Sequence, residues 1–107
     1  MLLHQILTGV EFVGEAPRNI DVASVELNSQ KVIRGGMFIA LSGKTQDGKK
    51  YIPDALQKGA DVIVYDGEYD VPPSTSVFVR LKGDMRQNIA KIAANFYRNM
   101  PPLISAV

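Results

Sequence analysis

Two short polar stretches hold the side chains that could do chemistry, Asn28-Ser29-Gln30 and Lys44-Thr45-Gln46. The second lies between an apolar run, Met37 to Leu41, and a helical pattern that begins near Tyr51, in a loop that also carries Gly43 and Gly48. Open α/β sheets take ligands at such a point, because the loop amides lie outside the carboxyl ends of the strands. Backbone amides and a lysine ammonium there could hold a diphosphate, while hydroxyl and carboxamide side chains read a ribose or a base. The plain alternative is a solvated loop, since loops gather lysines for solubility alone. Asn28-Ser29-Gln30 poses the same choice, as its side chains can bond their own backbone or a ligand.

Other chemistries find little to build on. A nucleophile-base-acid triad needs a histidine in the fold, and the one histidine, His4, sits in a terminal helical turn where it reads as packed or solvated. With no cysteine there is neither a disulfide nor a thiolate metal site, and no metal ligand set is expected. No spacing singles out a carboxylate pair for glycoside chemistry. Neither G-x-x-x-x-G-K-[ST] nor G-x-G-x-x-G occurs. Twelve Lys and Arg against eleven Asp and Glu leave a formal charge of +1, without the one-sided excess that tracks a nucleic-acid backbone. No apolar run reaches the roughly 18 residues of a membrane helix, and no signal peptide opens the chain. A cytoplasmic protein that binds no nucleic acid and enters no membrane is the expectation.

The elements that must position these residues follow from periodicity. The 107 residues, 46% hydrophobic, suit one domain able to bury roughly two thirds of its unfolded surface. Leu2, Leu3, Ile6 and Leu7 predict a short helix ended by Thr8-Gly9. Residues 10 to 19, with Gly14 and Pro17, predict an irregular connection. A strand is expected from Ser24 to Leu27, and Gly35-Gly36 predicts a hairpin-type or tight turn before the strand at Met37. Tyr51, Ile52, Ala55 and Leu56 share one helical face, Pro53 confines the helix start to Tyr51 or Ile52, and Gly59 caps its end. Asp61 to Tyr65 and Val77 to Leu81 predict two further strands. Asp84 with Gln87 predicts a cap for the longest helix, whose apolar stripe is Ile89, Ile92, Ala93, Phe96 and Tyr97 and whose stop is Met100-Pro101-Pro102. Leu103 to Val107 reads as the start of another strand, which points to a natural chain that continues. Strand, loop, helix, glycine, strand is a βαβ unit, so the fold class is α/β, a small mostly parallel sheet with flanking helices.

The series N-S-Q-K-V-x-x-G-x-M-F-I-A-L-x-G-x-x-x-D-G-x-x-Y-I-P-x-A-x-x-x-G-A, Asn28 to Ala60, resembles the N-terminal domain of the Mur ligases. It is most similar to the type that adds the third amino acid of the peptidoglycan stem peptide, usually written D-S-R-x-V-x-x-G-D-L-F-V-A-x-x-G-x-x-x-D-G-x-x-Y-I-P-x-A-x-x-x-G-A. The resemblance runs from about Glu26 to Val64, and the family also has a helix where Asp84 to Asn99 lie. The sister enzyme that adds D-alanyl-D-alanine shares much of the pattern, and Tyr51-Ile52-Pro53 favours the first type.

That resemblance implies a domain that holds the uridine diphosphate end of a UDP-N-acetylmuramoyl-peptide. Residues 1–107 would be this single domain, cut just before a central domain with a phosphate loop for ATP; a C-terminal domain would choose between Lys and diaminopimelate. Carried over by position, Leu27 and Ser29 contact the uridine, and Lys44, Thr45 and Gln46 line the uracil and diphosphate region. No catalytic residue falls within the chain; ATP and Mg are expected only in the whole amide-forming ligase. Asn28 and Gln30 stand where the family has Asp and Arg, either as a neutral amide pair or as a weakened site. Two alternatives remain beside the leading reading: the D-alanyl-D-alanine-adding ligase, and a non-catalytic interaction module on the same fold.

Overall fold

The computed structural model describes residues 1–14, 20–40 and 48–98. A five-stranded sheet organises them, in the order β1-β5-β4-β3-β2: Phe12–Val13 (β1), Val25–Glu26 (β2), Met37–Ala40 (β3), Val62–Asp66 (β4) and Val77–Leu81 (β5). Strands β2, β3, β4 and β5 run parallel, and β1 joins β5 antiparallel. Among the described residues three α-helices flank the sheet, Leu3–Ile6 (α1), Ile52–Gln57 (α2) and Met85–Arg98 (α3). The expected α/β sheet is therefore present, with α2 linking the parallel strands β3 and β4.

Met37 to Ala40 of β3 and Val62 to Tyr65 of β4 are buried on both faces, so these runs are almost wholly apolar. Met37 and Ile39 of β3 and Val62 and Val64 of β4 face a core shared with Leu3 and Ile6 of α1 and Ile92 and Phe96 of α3. Their neighbours Phe38, Ala40, Ile63 and Tyr65 face the other way, against Ile52 and Ala55 of α2 and against Val32. The alternation of side chains along a strand thus divides one hydrophobic run between two cores.

Several boundaries differ from the sequence reading for physical reasons. Residues 10 to 14 are not wholly irregular, since Phe12 and Val13 pair with Leu81 and Arg80. Two residues give no periodic signal, so this strand exists through its partner alone. The first parallel strand is shorter than Ser24 to Leu27 and covers Val25–Glu26. Gly35-Gly36 makes no hairpin, because the strands on either side of it, β2 and β3, are parallel neighbours. The tight turn does form, the Gly36 N–H donating to the Ile33 carbonyl at 3.0 Å with Gly35 at a φ of +81°, and the pair also serves close approach. The Gly35 N–H donates to the Gly59 carbonyl at 2.8 Å, and a Cβ on Gly36 would lie 2.6 Å from the Ser24 hydroxyl. Gly59 has a φ of +97° and backs onto Arg34, whose Cα would be 3.0 Å from an added Cβ. A side chain there would meet both conformational strain and backbone, which is why this cap is glycine. Tyr97 leaves the predicted stripe; it is exposed, with its ring edge-on to Phe96 at 5.2 Å. Leu41, Asn99 and the expected strand Leu103 to Val107 lie outside the described residues.

Helix α3 carries a polar seam that no apolar periodicity announces. Asp84 caps it, its carboxylate accepting from the backbone N–H groups of Arg86 and Gln87 at 2.9 and 3.3 Å. Asn88 is buried and bridges three backbone groups: it accepts from the Glu11 N–H at 3.0 Å and donates to the carbonyls of Lys82 at 2.7 Å and Glu11 at 3.3 Å. Further along, Lys91 donates to the Gly9 carbonyl, and Asn95 to those of Ile6 and Thr8. These bonds fasten the end of α1 and the approach to β1 onto α3.

Candidate functional site

The segment that follows β2 shapes the candidate site. Leu27 leaves the sheet and is 58% exposed. Asn28 stays extended and turns its amide oxygen back to accept the Gln30 N–H at 2.9 Å. This cap starts a one-turn 3-10 helix, Ser29–Lys31, closed by the Lys31 N–H donating to the Asn28 carbonyl at 3.0 Å. Val32 then drops into the core beside Ile52 and Ala55, which fixes the turn against α2. Ser29 is thereby held almost out of solvent, at 6% exposure.

The opposing element is a second 3-10 turn, Gly48–Tyr51, which runs directly into α2. Pro53 sits in the first turn of that helix, where its missing N–H costs nothing. Tyr51 is therefore the residue before the helix rather than part of its buried face, and it is 38% exposed. Lys50 places its ammonium 5.2 Å from the Tyr51 ring centroid, a cation–π approach at an exposed site. Lys49 reaches the other way and donates to the carbonyls of Asp66 and Glu68 at 3.1 and 3.0 Å, tying the turn to the end of β4.

Between the two turns lies a cleft of about 330 Å³ lined by Leu27, Asn28, Ser29, Gln30 and Tyr51. None of these side chains carries a formal charge. The cleft offers an aliphatic contact, an aromatic ring, two hydroxyls and two carboxamides, an assortment that suits a neutral, planar, hydrogen-bonding group. Asn28 performs the turn-capping task open to an aspartate, through its amide oxygen and the Gln30 backbone.

Of the residues the sequence put forward, Leu27 and Ser29 meet in this cleft together with Asn28 and Gln30. Lys44, Thr45 and Gln46 lie outside the described residues. Tyr51 is the lining residue that sequence reasoning assigned wrongly, to the core face of the helix. The available signal was Pro53, since a helix starting at Ile52 leaves Tyr51 ahead of it, beside the glycine-bearing loop. Among the described residues no three His, Asp or Glu side chains gather to hold a metal ion, and no helix is long and apolar enough to cross a membrane.

Residues 21–97 match the family model described as Mur ligase family, catalytic domain. The chain is 38% identical, over 92% of its length, to the UDP-N-acetylmuramoyl-L-alanyl-D-glutamate–2,6-diaminopimelate ligase of Clostridioides difficile, of which it covers 20%. It is 33% identical to the ligase of the same name from Bacteroides thetaiotaomicron, again over 92% of this chain and 20% of that protein. The chain thus spans about a fifth of the length of these relatives. Among solved structures it is similar to the MurF ligase of Thermotoga maritima in complex with ADP, with a TM-score of 0.55 and 30% identity over 78% of this chain and 18% of that one. MurF from Acinetobacter baumannii shares the fold at a TM-score of 0.63 and 16% identity, covering 91% of this chain and 21% of that one.

Proposed function

Because this chain belongs to the Mur ligase family, we propose that it is the N-terminal, substrate-anchoring domain of an ATP-dependent ligase that adds the third amino acid to the peptidoglycan stem peptide. Its task is to hold the uridine diphosphate end of a UDP-N-acetylmuramoyl-peptide in the cytoplasm. The names of the two diaminopimelate-ligase relatives support the reaction type. The observation that carries the anchoring role is the cleft after β2, uncharged among its described residues, into which Leu27 and the largely buried Ser29 are gathered. Lys44, Thr45 and Gln46 complete the site in this reading by their position in the motif, beside the uracil and the diphosphate.

Anchoring aids a reaction it does not touch. Binding energy gathered on a remote nucleotide holds the peptide carboxylate against its phosphoryl donor, so loss of the anchor lowers rate as well as affinity. The described residues hold no acidic cluster suited to Mg, and the chain has no phosphate loop. ATP and Mg fall to the central domain in this reading, the amino acid to the C-terminal domain, and the amide bond is made where those two meet.

Titration with UDP and with UDP-N-acetylmuramoyl-L-alanyl-D-glutamate tests the proposal. Saturable binding of both, weakened roughly tenfold or more by Ser29→Ala, is expected for the loss of one buried ligand hydrogen bond. Absence of binding at millimolar ligand would leave the interaction-module reading. The similarity to the Thermotoga maritima MurF keeps a D-alanyl-D-alanine-adding ligase as the second reading. Assaying the full-length enzyme with a single amino acid and with D-alanyl-D-alanine separates the two.

A further inference from the structure

We infer that Tyr51 is a further ligand-binding residue of this site, the ring on which the nucleobase of the bound nucleotide lies. The inference rests on the uridine-diphosphate reading above and adds a residue to it. Among the described residues Tyr51 is the one aromatic side chain in the lining of the cleft, and it is exposed although its neighbour Ile52 is fully buried. Its place is fixed from both sides. Pro53 and the buried Ile52 set the start of α2 behind it, and the Lys50 ammonium lies over its ring. An exposed ring held in a defined place is a stacking platform with little ordering left to do when a base arrives.

The rest of the lining matches a carbonyl-bearing pyrimidine. Asn28 commits its amide oxygen to the Gln30 N–H, so what it offers a ligand is its Nδ2 donor. Gln30 and Ser29 each offer a donor and an acceptor, and Leu27 offers an aliphatic surface. Two donors and an acceptor are what the carbonyl, N–H, carbonyl edge of a uracil requires. At about 330 Å³ the cleft is near the lower end of small-molecule sites, roughly 300–1,000 Å³, so it takes the nucleoside end and leaves the sugar-peptide outside.

The test is UDP binding by calorimetry with wild type, Tyr51→Phe and Tyr51→Leu, with ADP as the competing base. Each protein is first shown to be folded by circular dichroism, and the uracil H5 and H6 resonances are followed by NMR. Tyr51→Phe keeps the ring, so its affinity stays within about twofold and the uracil protons still move upfield in the ring current. Tyr51→Leu keeps apolar bulk without the ring; UDP affinity falls roughly five- to hundredfold, the range for one base–aromatic stack, and the upfield shift disappears. The preference for UDP over ADP, set by the donors and acceptors of Asn28, Ser29 and Gln30, changes little, because every base has a face to stack. A Tyr51→Leu protein that binds UDP as wild type does, with unchanged H5 and H6 shifts, overturns the inference while leaving the anchoring role intact. Wild type that binds no UDP overturns the anchoring role itself, and this inference with it.

Discussion

Replacing Asn88 tests how the sheet's antiparallel edge is held. The side chain is 2% exposed and serves three backbone groups, the Glu11 N–H, the Glu11 carbonyl and the Lys82 carbonyl. In Asn88→Ala the Glu11 carbonyl still accepts the Lys82 N–H at 3.1 Å. The Glu11 N–H and the Lys82 carbonyl lose the Asn88 partner, and at about 1–1.5 kcal/mol for each group so stranded, stability falls by about 2–3 kcal/mol. With an m-value near 1–2 kcal/mol per molar urea for a small domain, the midpoint drops by roughly 1–3 M. Asn88→Asp asks a sharper question. Its carboxylate can still accept the Glu11 N–H, but an acceptor oxygen now confronts the Lys82 carbonyl where a donor stood 2.7 Å away. At neutral pH the Asp variant is therefore less stable than the Ala variant. Burial and the facing carbonyls raise the folded-state pKa of this carboxyl above its unfolded value near 3.9, so protonation restores an O–H donor. The variant's deficit is smallest below about pH 4 and grows as pH rises through the raised value. Urea unfolding by circular dichroism at about pH 7.5 and pH 4.5 reads both effects. An Ala variant within about 0.5 kcal/mol of wild type, or an Asp variant no worse than Ala at neutral pH, would refute the bridging role.

Two further outcomes follow. Asn28→Ala removes the cap on the Ser29 turn, and UDP affinity falls severalfold while global stability drops by only about 0.5–1 kcal/mol, since the turn is short and exposed; parallel calorimetry and thermal melts check the split, and a loss of stability without loss of affinity would count against it. Burial raises the Tyr69 phenol above its ordinary 10.0, with the Asp70 carboxylate adding to the effect. The unfolded chain therefore ionises first, and stability present below about pH 10 is lost as pH rises through the folded value. Melting curves from pH 8 to 11 would show a steeper decline for wild type than for Tyr69→Phe, and parallel curves would remove Tyr69 as a contributor.

What could be read from the residues alone divides along physical lines. Strands β3 and β4 and helix α2 were legible because each meets two independent constraints, a continuous apolar run between covered faces and a punctuating Pro53 or Gly59. Ser29 was legible as part of a polar cluster just past a strand. Phe12–Val13 was not, since a two-residue strand has no period and is defined by β5 across the sheet. Asn88 falls outside any apolar stripe, and its three partners lie on segments 6 and 77 residues away. Tyr51 was misplaced because a helical wheel assumes that the helix already includes it, whereas a 3-10 turn reorients the side chain just before the helix begins.

The two outermost strands of the sheet, β1 and β2, are each only two residues long. Open borders normally tempt other polypeptides to add strands of their own, and a border this brief offers them too few amide and carbonyl groups in line to hold on. Prepared in isolation and concentrated, the protein should therefore resist fibril-like stacking through its margins, leaving the cleft beside β2 uncovered.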